Sequence, residues 1–424
     1  MPPIVTRQRE LSDDAGDKVL QAALEIYRND AAVLGLVDSV RRFSSQPLTT
    51  GNRVTVLIDG PQTYSVLEEA LRAARHNIHI ETFIYGAGDV GQRFADLLAQ
   101  KRKEGVEVRL LYDSLGSRET PREFFDQLRR KDIEVREFRP WSVVKTPDVW
   151  NLHNRDHRKI IVVDGKVGFT GGINIDSTYE SASTSRPGPE RGLEDGWRDT
   201  HIEIEGLAVA QLQELFFESW QQAGPGEDLD RDKYFPKLAS PGRDLVTIVA
   251  NDSESDDRSL YGTYLAAFKS SSKRLWITHA YFAPNEELLT SMVEAAQRGV
   301  DVRLIVPSFT DSYIVLNATQ ATFTRLLKAG VKIYELKDAL LHAKSVVIDS
   351  TVSIVGSANL DTRSFLHNDE VNAIIISRDT AARMEQVFVR DQQAARAVEL
   401  DNWKRRSFWQ RTKEFFVNMF SYWI

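Results

Sequence analysis

Two stretches of the chain repeat one pattern of apolar and polar positions. NIHIETFIY (77–85) and EGVEVRLLYD (104–113) read as short apolar strands, and between them Val90, Phe94, Leu97 and Leu98 fall at helical spacing. RLWITHAYF (274–282) and RGVDVRLIVP (298–307) do the same around Leu288, Leu289, Met292 and Val293. A further strand follows in each case, DIEVREF (132–138) and GVKIYEL (330–336). Strands alternating with helices predict α/β units, each a mixed, mostly parallel sheet flanked by helices. The likeness continues through DHRKIIVVDGKVGFTGGINID (156–176) and LHAKSVVIDSTVSIVGSANLD (341–361). The chain therefore reads as two tandem copies of one domain, packed with pseudo-twofold symmetry.

The pattern divides the chain into an N-terminal helical segment (1–47), a first domain (48–222), a linker (223–242), a second domain (243–395) and a C-terminal amphipathic helix (396–424). The linker is polar and carries three prolines. A second polar stretch, 177–196, reads as a surface loop within the first domain.

Aligned on their histidines, the two copies share more than hydrophobicity. His157 and His342 are each followed by Lys at +2 (Lys159, Lys344) and Asp at +7 (Asp164, Asp349). Gly171 and Gly356 follow at +14, and Asn174 and Asn359 at +17. Only these two of the eight histidines have that surrounding; a double occurrence of H-x-K-x4-D by chance is on the order of one in a thousand. Positions i and i+2 of a strand share a face, so each copy presents an imidazole and an ammonium together. The glycine-containing turn that follows brings an Asn carboxamide. Paired copies would gather two of each at one site, a set suited to phosphoryl chemistry. Cations and amides hold the non-bridging oxygens, a neutral His attacks phosphorus, and a protonated His serves the leaving oxygen. No metal or cofactor is called for. Asp164 and Asp349 lie at an odd offset and read as strand-end or salt-bridge residues. The structural alternative is that duplicated strands carry His and Lys for packing alone, and the matching Gly and Asn speak against it.

Composition narrows the class. With 424 residues the chain can bury large cores without staples. The absence of Cys excludes thiolate metal sites, cysteine nucleophiles and disulfides. Lys+Arg 54 against Asp+Glu 61 gives a net charge of −7, which argues against bulk nucleic-acid binding. MPPIVTRQRELSDDAGDK lacks the apolar core of a signal peptide. The apolar run Ala31 to Val37 is far short of the roughly 20 residues that span a bilayer. The expectation is a protein that lies at a membrane surface or in the cytoplasm.

One compositional feature stands apart: eight aromatics crowd into the last 24 residues. Trp403, Phe408, Trp409, Phe416, Phe420 and Trp423 line a helical face, with Lys404, Arg405, Arg406, Arg411 and Lys413 among them. That describes an interfacial helix on anionic lipid. A helix docked on the protein's own core, or on a second copy in a homodimer, fits the same pattern. The segment near Val19 to Val37 is a weaker candidate for the lipid role. Glu81 and His279, on the paired strands, are candidates for substrate contact or for buried polar pairing. His76, His79, His153, His201 and His367 have no partner at ligand-like spacing and read as structural or exposed.

The two motifs H157-R-K159-x4-D164 and H342-A-K344-x4-D349, each followed by G-x-x-N, resemble the paired HKD motifs of the phospholipase D superfamily. Within it the chain is most similar to bacterial cardiolipin synthases, over about residues 48–395. GNRVTVLIDG, GWRDTHIEIEG, AYFAPNEEL and GSANLDTRSFLHNDEVNAII carry the likeness. The resemblance implies a ping-pong mechanism in which His157 forms a phosphohistidine and His342 serves as the acid. It implies that Asp199, in WRD, and Glu370, in NDE, orient the imidazoles. It further implies phosphatidylglycerol as donor and phosphatidylglycerol or another phospholipid, such as phosphatidylethanolamine, as acceptor. Cardiolipin and glycerol would be the products, made peripherally on the cytoplasmic face of the bacterial inner membrane. Many cardiolipin synthases begin with transmembrane helices; this chain resembles a shorter type without them. Hydrolytic phospholipase D, another phosphatidyltransferase such as a phosphatidylserine synthase, a superfamily nuclease and a lipid-binding scaffold are the rival functions.

Overall fold

The computed structural model describes residues 21–406, apart from 23, 45, 141–153, 182–195, 227–229, 256 and 311. Both halves lay down the same order of strands across a sheet. In the first half that order is Thr49–Ile58, Thr200–Glu205, Val167–Gly171, Ile160–Val163, Asn77–Thr82, Glu107–Asp113 and Glu134–Phe138. In the second it is Asp244–Asn251, Asn368–Ile376, Val352–Gly356, Lys344–Ile348, Arg274–His279, Asp301–Pro307 and Lys332–Leu336. The leading strands of the two sets pair antiparallel, Thr49 opposite Val246 and Asn52 opposite Asp244. One sheet thus runs through the whole molecule, with the local twofold at that seam.

The expectation of a mostly parallel sheet needs correcting. Along the two seven-strand sets, parallel pairing joins only the three outer strands of each. The strands between them, and the seam, are antiparallel. The reason lies in the motif itself: a tight hairpin follows each Lys, and a short connection can join only antiparallel neighbours.

Helices cover both faces. Asp59–Ala73 and Asp89–Lys103 bury Leu67, Leu71, Phe94 and Leu98 against the first half. Ser259–Ser270 and Glu286–Gln297 do the same with Tyr264, Phe268, Leu288 and Met292 on the second. On the opposite face, Val209–Gln222 and Arg378–Ala394 share one cluster with Val56, Ile202, Ile248, Ile375 and Val387. That cluster crosses the seam, so on this face the halves share one core. The polar join at 223–242 is packed as well: Tyr234 is buried, and its hydroxyl receives a hydrogen bond from Arg109 Nη1 (2.8 Å).

The N-terminal candidate for lipid binding uses its apolar face internally, and so does Trp403 of the C-terminal candidate. The helix Ala31–Phe43 buries Ala32, Val33, Leu36 and Val37 in the second-half core. Its Gly35 lies so close to Ser259–Ser270 that a Cβ would come 2.5 Å from the Ser270 Cβ. At the other end, residues expected to start the C-terminal helix form a strand, Ala395–Val398, that pairs with Lys332–Leu336 and covers the sheet edge. Trp403, grouped with the membrane aromatics on sequence, instead packs at a tilt against Phe323 (ring centroids 5.0 Å apart) and donates its indole N–H to Thr324 Oγ1 (3.1 Å). Phe408, Trp409, Phe416, Phe420 and Trp423 lie outside the described residues. Among the described residues, no helix is long and apolar enough to cross a membrane.

The motif aspartates set the far end of each strand. Asp164 and Gly165, and Asp349 and Ser350, all have positive φ and occupy the centre of the hairpin turn. Asp tolerates this conformation better than most residues. The turns are closed by Lys166 N–H to the Val163 carbonyl (2.9 Å) and Thr351 N–H to the Ile348 carbonyl (3.0 Å). The Asp164 carboxylate accepts the backbone N–H groups of Arg75, His76 and Asn77 at 2.7–3.1 Å. Asp349 accepts those of Ser272, Lys273 and Arg274 at 2.7–2.8 Å. Each Asp therefore fastens the strand that lies beside its own HxK strand. Asp164→Ala and Asp349→Ala are each expected to lower stability by about 2 kcal/mol through unmade charge-assisted hydrogen bonds. A downward shift of the urea midpoint would register this; an unchanged midpoint would contradict the strand-fastening role.

Candidate active site

Each histidine is placed by the opposite half. Arg155–Asp156, just before His157, pair in parallel with Asn368–Asp369, just before Glu370. Leu340–Leu341, just before His342, pair in parallel with Trp197–Arg198, just before Asp199. The His157 N–H donates to the Asp369 carbonyl (2.9 Å), and the His342 N–H to the Arg198 carbonyl (2.8 Å). One step further along, His157 Nδ1 lies 2.9 Å from both Glu370 carboxylate oxygens. His342 Nδ1 lies 2.7 Å from Asp199 Oδ2. An ionised carboxylate only accepts, so against it Nδ1 is the donor and Nε2 carries the free lone pair. Both carboxylates are 0 % exposed, while His157 and His342 keep 9 % and 8 %, so solvent-side access ends at the imidazoles.

The lysines share one arrangement. Lys159 Nζ donates to the His157 carbonyl (2.7 Å) and Lys344 Nζ to the His342 carbonyl. Both are buried. The two Asn residues differ. Asn174 is engaged, with Oδ1 accepting from the Ile84 N–H (3.1 Å) and Nδ2 donating to the Tyr179 hydroxyl (2.8 Å). Asn359 Oδ1 is buried and has no hydrogen-bond partner among the described residues.

The turn glycines make room for the carboxylates. A Cβ on Gly172 would lie 2.1 Å from Asp199 Oδ1. The second copy has Ser357 in that place, and its hydroxyl donates to Glu370 Oε2 (2.5 Å).

The environment shifts both imidazoles downward, but unequally. Burial, then Lys159 and Lys344, hold His157 well below the usual histidine value. Burial and Lys344 bring His342 down to about 4, with Asp199 pulling the other way. Burial pushes the Asp199 carboxyl up, but His342 and Lys344 outweigh it and leave the group below the ordinary range. Burial pushes Glu370 up to about 7 against the pull of Lys159 and Ser357. Burial brings Lys159 down to about 7. His342 therefore has the more firmly ionised partner and takes up a proton more readily than His157.

Aromatic walls that spacing could not disclose complete the site. Phe83 packs edge-on to His157 (4.9 Å) and lies 5.3 Å below Lys159 Nζ. Tyr179 and Trp197 flank His342 at 5.7 and 5.2 Å. A lone aromatic in a strand is more often core, so only the fold marks these three.

Glu81 and His279 do not reach the site surface; both are 0 % exposed. Glu81 Oε1 accepts from the Ser219 hydroxyl (2.7 Å), and burial raises its carboxyl to about 7. His279 sits opposite Lys344 in the sheet, held near 3 by burial. Both belong to the polar layer beneath the motif strands. Of the remaining histidines, His79 is buried, stacked on Phe216 (4.7 Å) with Nδ1 3.0 Å from Gln213 Oε1. His201 is buried, His76 is exposed, His367 is half-buried, and His153 lies outside the described residues.

Known proteins share this organisation. The family model described as "Cardiolipin synthase, PLD-like domain" matches residues 67–184 and 264–392, once in each half. Cardiolipin synthase 1 of Bacillus cereus is 36 % identical over 409 residues, which are 95 % of this chain and 78 % of that protein. Cardiolipin synthase of Halalkalibacterium halodurans is 32 % identical over 415 residues, 96 % of this chain and 80 % of that one. Among solved structures, phosphatidylserine synthase of Haemophilus influenzae superposes with a TM-score of 0.66, covering 90 % of this chain and 96 % of that one at 14 % identity. At that identity the likeness is one of fold. With a family match in both halves and relatives similar over nearly the full chain, the protein belongs to the cardiolipin synthase family of phospholipase D-like proteins.

Proposed function

We propose that the protein is a phosphatidyltransferase that makes cardiolipin from phosphatidylglycerol at an anionic membrane surface. The observation that carries this reading is the pair of imidazoles, each fixed by a buried carboxylate of the opposite half, with a buried lysine beside each. His157 Nε2 attacks the phosphorus of the donor and forms a P–N bond. The bond to the glycerol oxygen breaks, and His342 gives that oxygen its proton. Lys159 and Lys344 offset the charge on the non-bridging oxygens. An anionic phosphodiester between the lysines favours the protonated imidazole, so His342 is loaded as the substrate arrives. In the second half-reaction, neutral His342 takes the proton from an acceptor hydroxyl. That oxygen forms the new P–O bond as the P–N bond to His157 breaks.

The assignment of His157 as nucleophile and His342 as acid is supported by their unequal basicity. His157 lacks a firmly ionised partner and stays neutral; His342 has one in Asp199. Cardiolipin as product rests on the relatives of that name that the chain matches over 95 % of its length. A purely hydrolytic enzyme would use the same groups with water as acceptor.

Phosphatidylglycerol vesicles and mass spectrometry of the products separate these readings. Cardiolipin with glycerol is the expected outcome, and phosphatidic acid without cardiolipin would refute it. His157→Ala is expected to abolish turnover and acid-labile phosphate incorporation into the 157-containing peptide. His342→Ala should lower turnover about 10²–10⁴-fold, as loss of general acid catalysis does.

The acid limb of kcat/KM provides a further check. Attack needs neutral His157 in the free enzyme, and its pKa is shifted down from 6.5. Lowering the pH through 6.5 therefore leaves the nucleophile neutral, and the limb should lie below the ordinary histidine range. Neutral-detergent micelles keep lipid charge from concentrating protons at the surface. A limb centred at or above about 6.5 would contradict the assignment.

A further inference from the structure

The reaction proposed above brings two phosphodiesters together, one on the donor and one on the acceptor lipid. The histidines and lysines of the two motifs account for the first. The second needs its own counter-charge at the rim of the same site.

Among the described residues, an exposed arginine stands on an element tied to both motifs. The short helix Thr362–Leu366 follows Asn359 of the second motif. Asp361 caps it by accepting the Ser364 N–H (2.7 Å), and the Ser364 hydroxyl accepts the Asn359 N–H (3.1 Å). At its other end the His367 carbonyl accepts the Arg155 N–H (3.1 Å), two residues before His157. The helix is thus tied to Asn359 on one side and to the His157 strand on the other. Arg363 stands on it, exposed, and makes no side-chain hydrogen bond or ion pair among the described residues. Its charge is felt by His157.

Two further observations set this residue apart. The matching position in the first copy, two residues after Asp176, is Thr178, so the cation is present on one side only. One turn after Arg363 comes Leu366, 40 % exposed, which with Thr362, Phe365, Tyr261, Arg258, Asn285 and Glu287 lines a groove of about 200 Å³. A guanidinium unpaired among the described residues, on a helix that is tied to both motifs and whose Phe365 and Leu366 line a groove with Tyr261, matches a phospholipid headgroup followed by the start of its acyl chains. A guanidinium binds a phosphodiester through paired hydrogen bonds.

We propose that Arg363 recognises the phosphodiester of the acceptor lipid and thereby selects a phospholipid alcohol over water or a small alcohol in the second half-reaction. This inference rests on the proposed transferase reading. Donor attack by His157 precedes the step, so Arg363 acts on how the phosphohistidine is partitioned. Its P–N bond breaks in every case; the acceptor oxygen that forms the new P–O bond differs.

The full-length chain, assayed on phosphatidylglycerol in mixed micelles with ethanol present, reports the partition directly. Cardiolipin, phosphatidylethanol and phosphatidic acid are quantified together. Arg363→Gln is expected to lower the ratio of cardiolipin to the other two products about tenfold, the loss expected for a charge-assisted hydrogen bond. Arg363→Lys should restore part of it. Because the ratio is read per phosphohistidine formed, loss of folded enzyme does not move it. An unchanged ratio overturns the proposal. So does a parallel fall of all three products on anionic vesicles that recovers in neutral micelles, which would make Arg363 a contact to the surrounding leaflet. Failure of the transferase reading looks different: the unsubstituted chain would then form phosphatidylethanol or phosphatidic acid but no cardiolipin.

Discussion

Two short parallel ladders, each two residues long, decide whether this molecule has a working site. Arg155–Asp156 against Asn368–Asp369, and Leu340–Leu341 against Trp197–Arg198, bring each histidine into register with a carboxylate from the other half. Neither half contains an oriented imidazole by itself. The antiparallel seam between Thr49–Ile58 and Asp244–Asn251, and the hydrophobic cluster that crosses it, hold the ladders in place. The continuous sheet is thus a functional requirement, since slippage of the seam would separate both His–carboxylate pairs at once. In phosphoryl transfer, where positioning and charge supply most of the catalysis, that rigidity matters.

The two copies supply the same groups and then diverge around them. Where the first half has Phe83, Gly172, Thr178 and Tyr179, the second has Ala280, Ser357, Arg363 and Ser364. Asp199 serves His342 and Glu370 serves His157. The Ser357 hydroxyl binds the Glu370 carboxylate, whereas the missing Cβ of Gly172 leaves room for Asp199. Burial and the lysines hold His157 well below the ordinary histidine value, while Asp199 pulls His342 the other way; the proposed ping-pong reaction would use that difference, one imidazole attacking while the other carries a proton. A symmetric site would leave the choice to the substrate.

Much of this was legible along the chain. The repeat, the strand–helix alternation and the HxK spacing follow from periodicity, because burial on one face of a strand or helix dictates which positions are apolar. The motif aspartates could be separated from the catalytic face by their odd offset, and they do end the strands. Other features were misread for a common reason. Apolar residues at both chain ends looked free to meet lipid; of these, Ala32, Val33, Leu36, Val37 and Trp403 pack on the second half, while the other C-terminal aromatics lie outside the described residues. An amphipathic pattern states that a face is covered and not by what. The sheet was expected to be mostly parallel because the hairpin after each Lys is a local detail that strand–helix alternation conceals.

By itself, then, the sequence determined the duplicated fold and the identity of the imidazoles, lysines, amides and turn aspartates, since each follows from local spacing. It could name Asp199 and Glu370 only through family resemblance. Which carboxylate serves which histidine, how far burial shifts each group, and which aromatics and arginine border the site were decided by the tertiary structure alone. Those properties depend on distances across the seam between residues 143 and 213 positions apart. Spacing along the chain carries no information about charge, burial or reach at that separation.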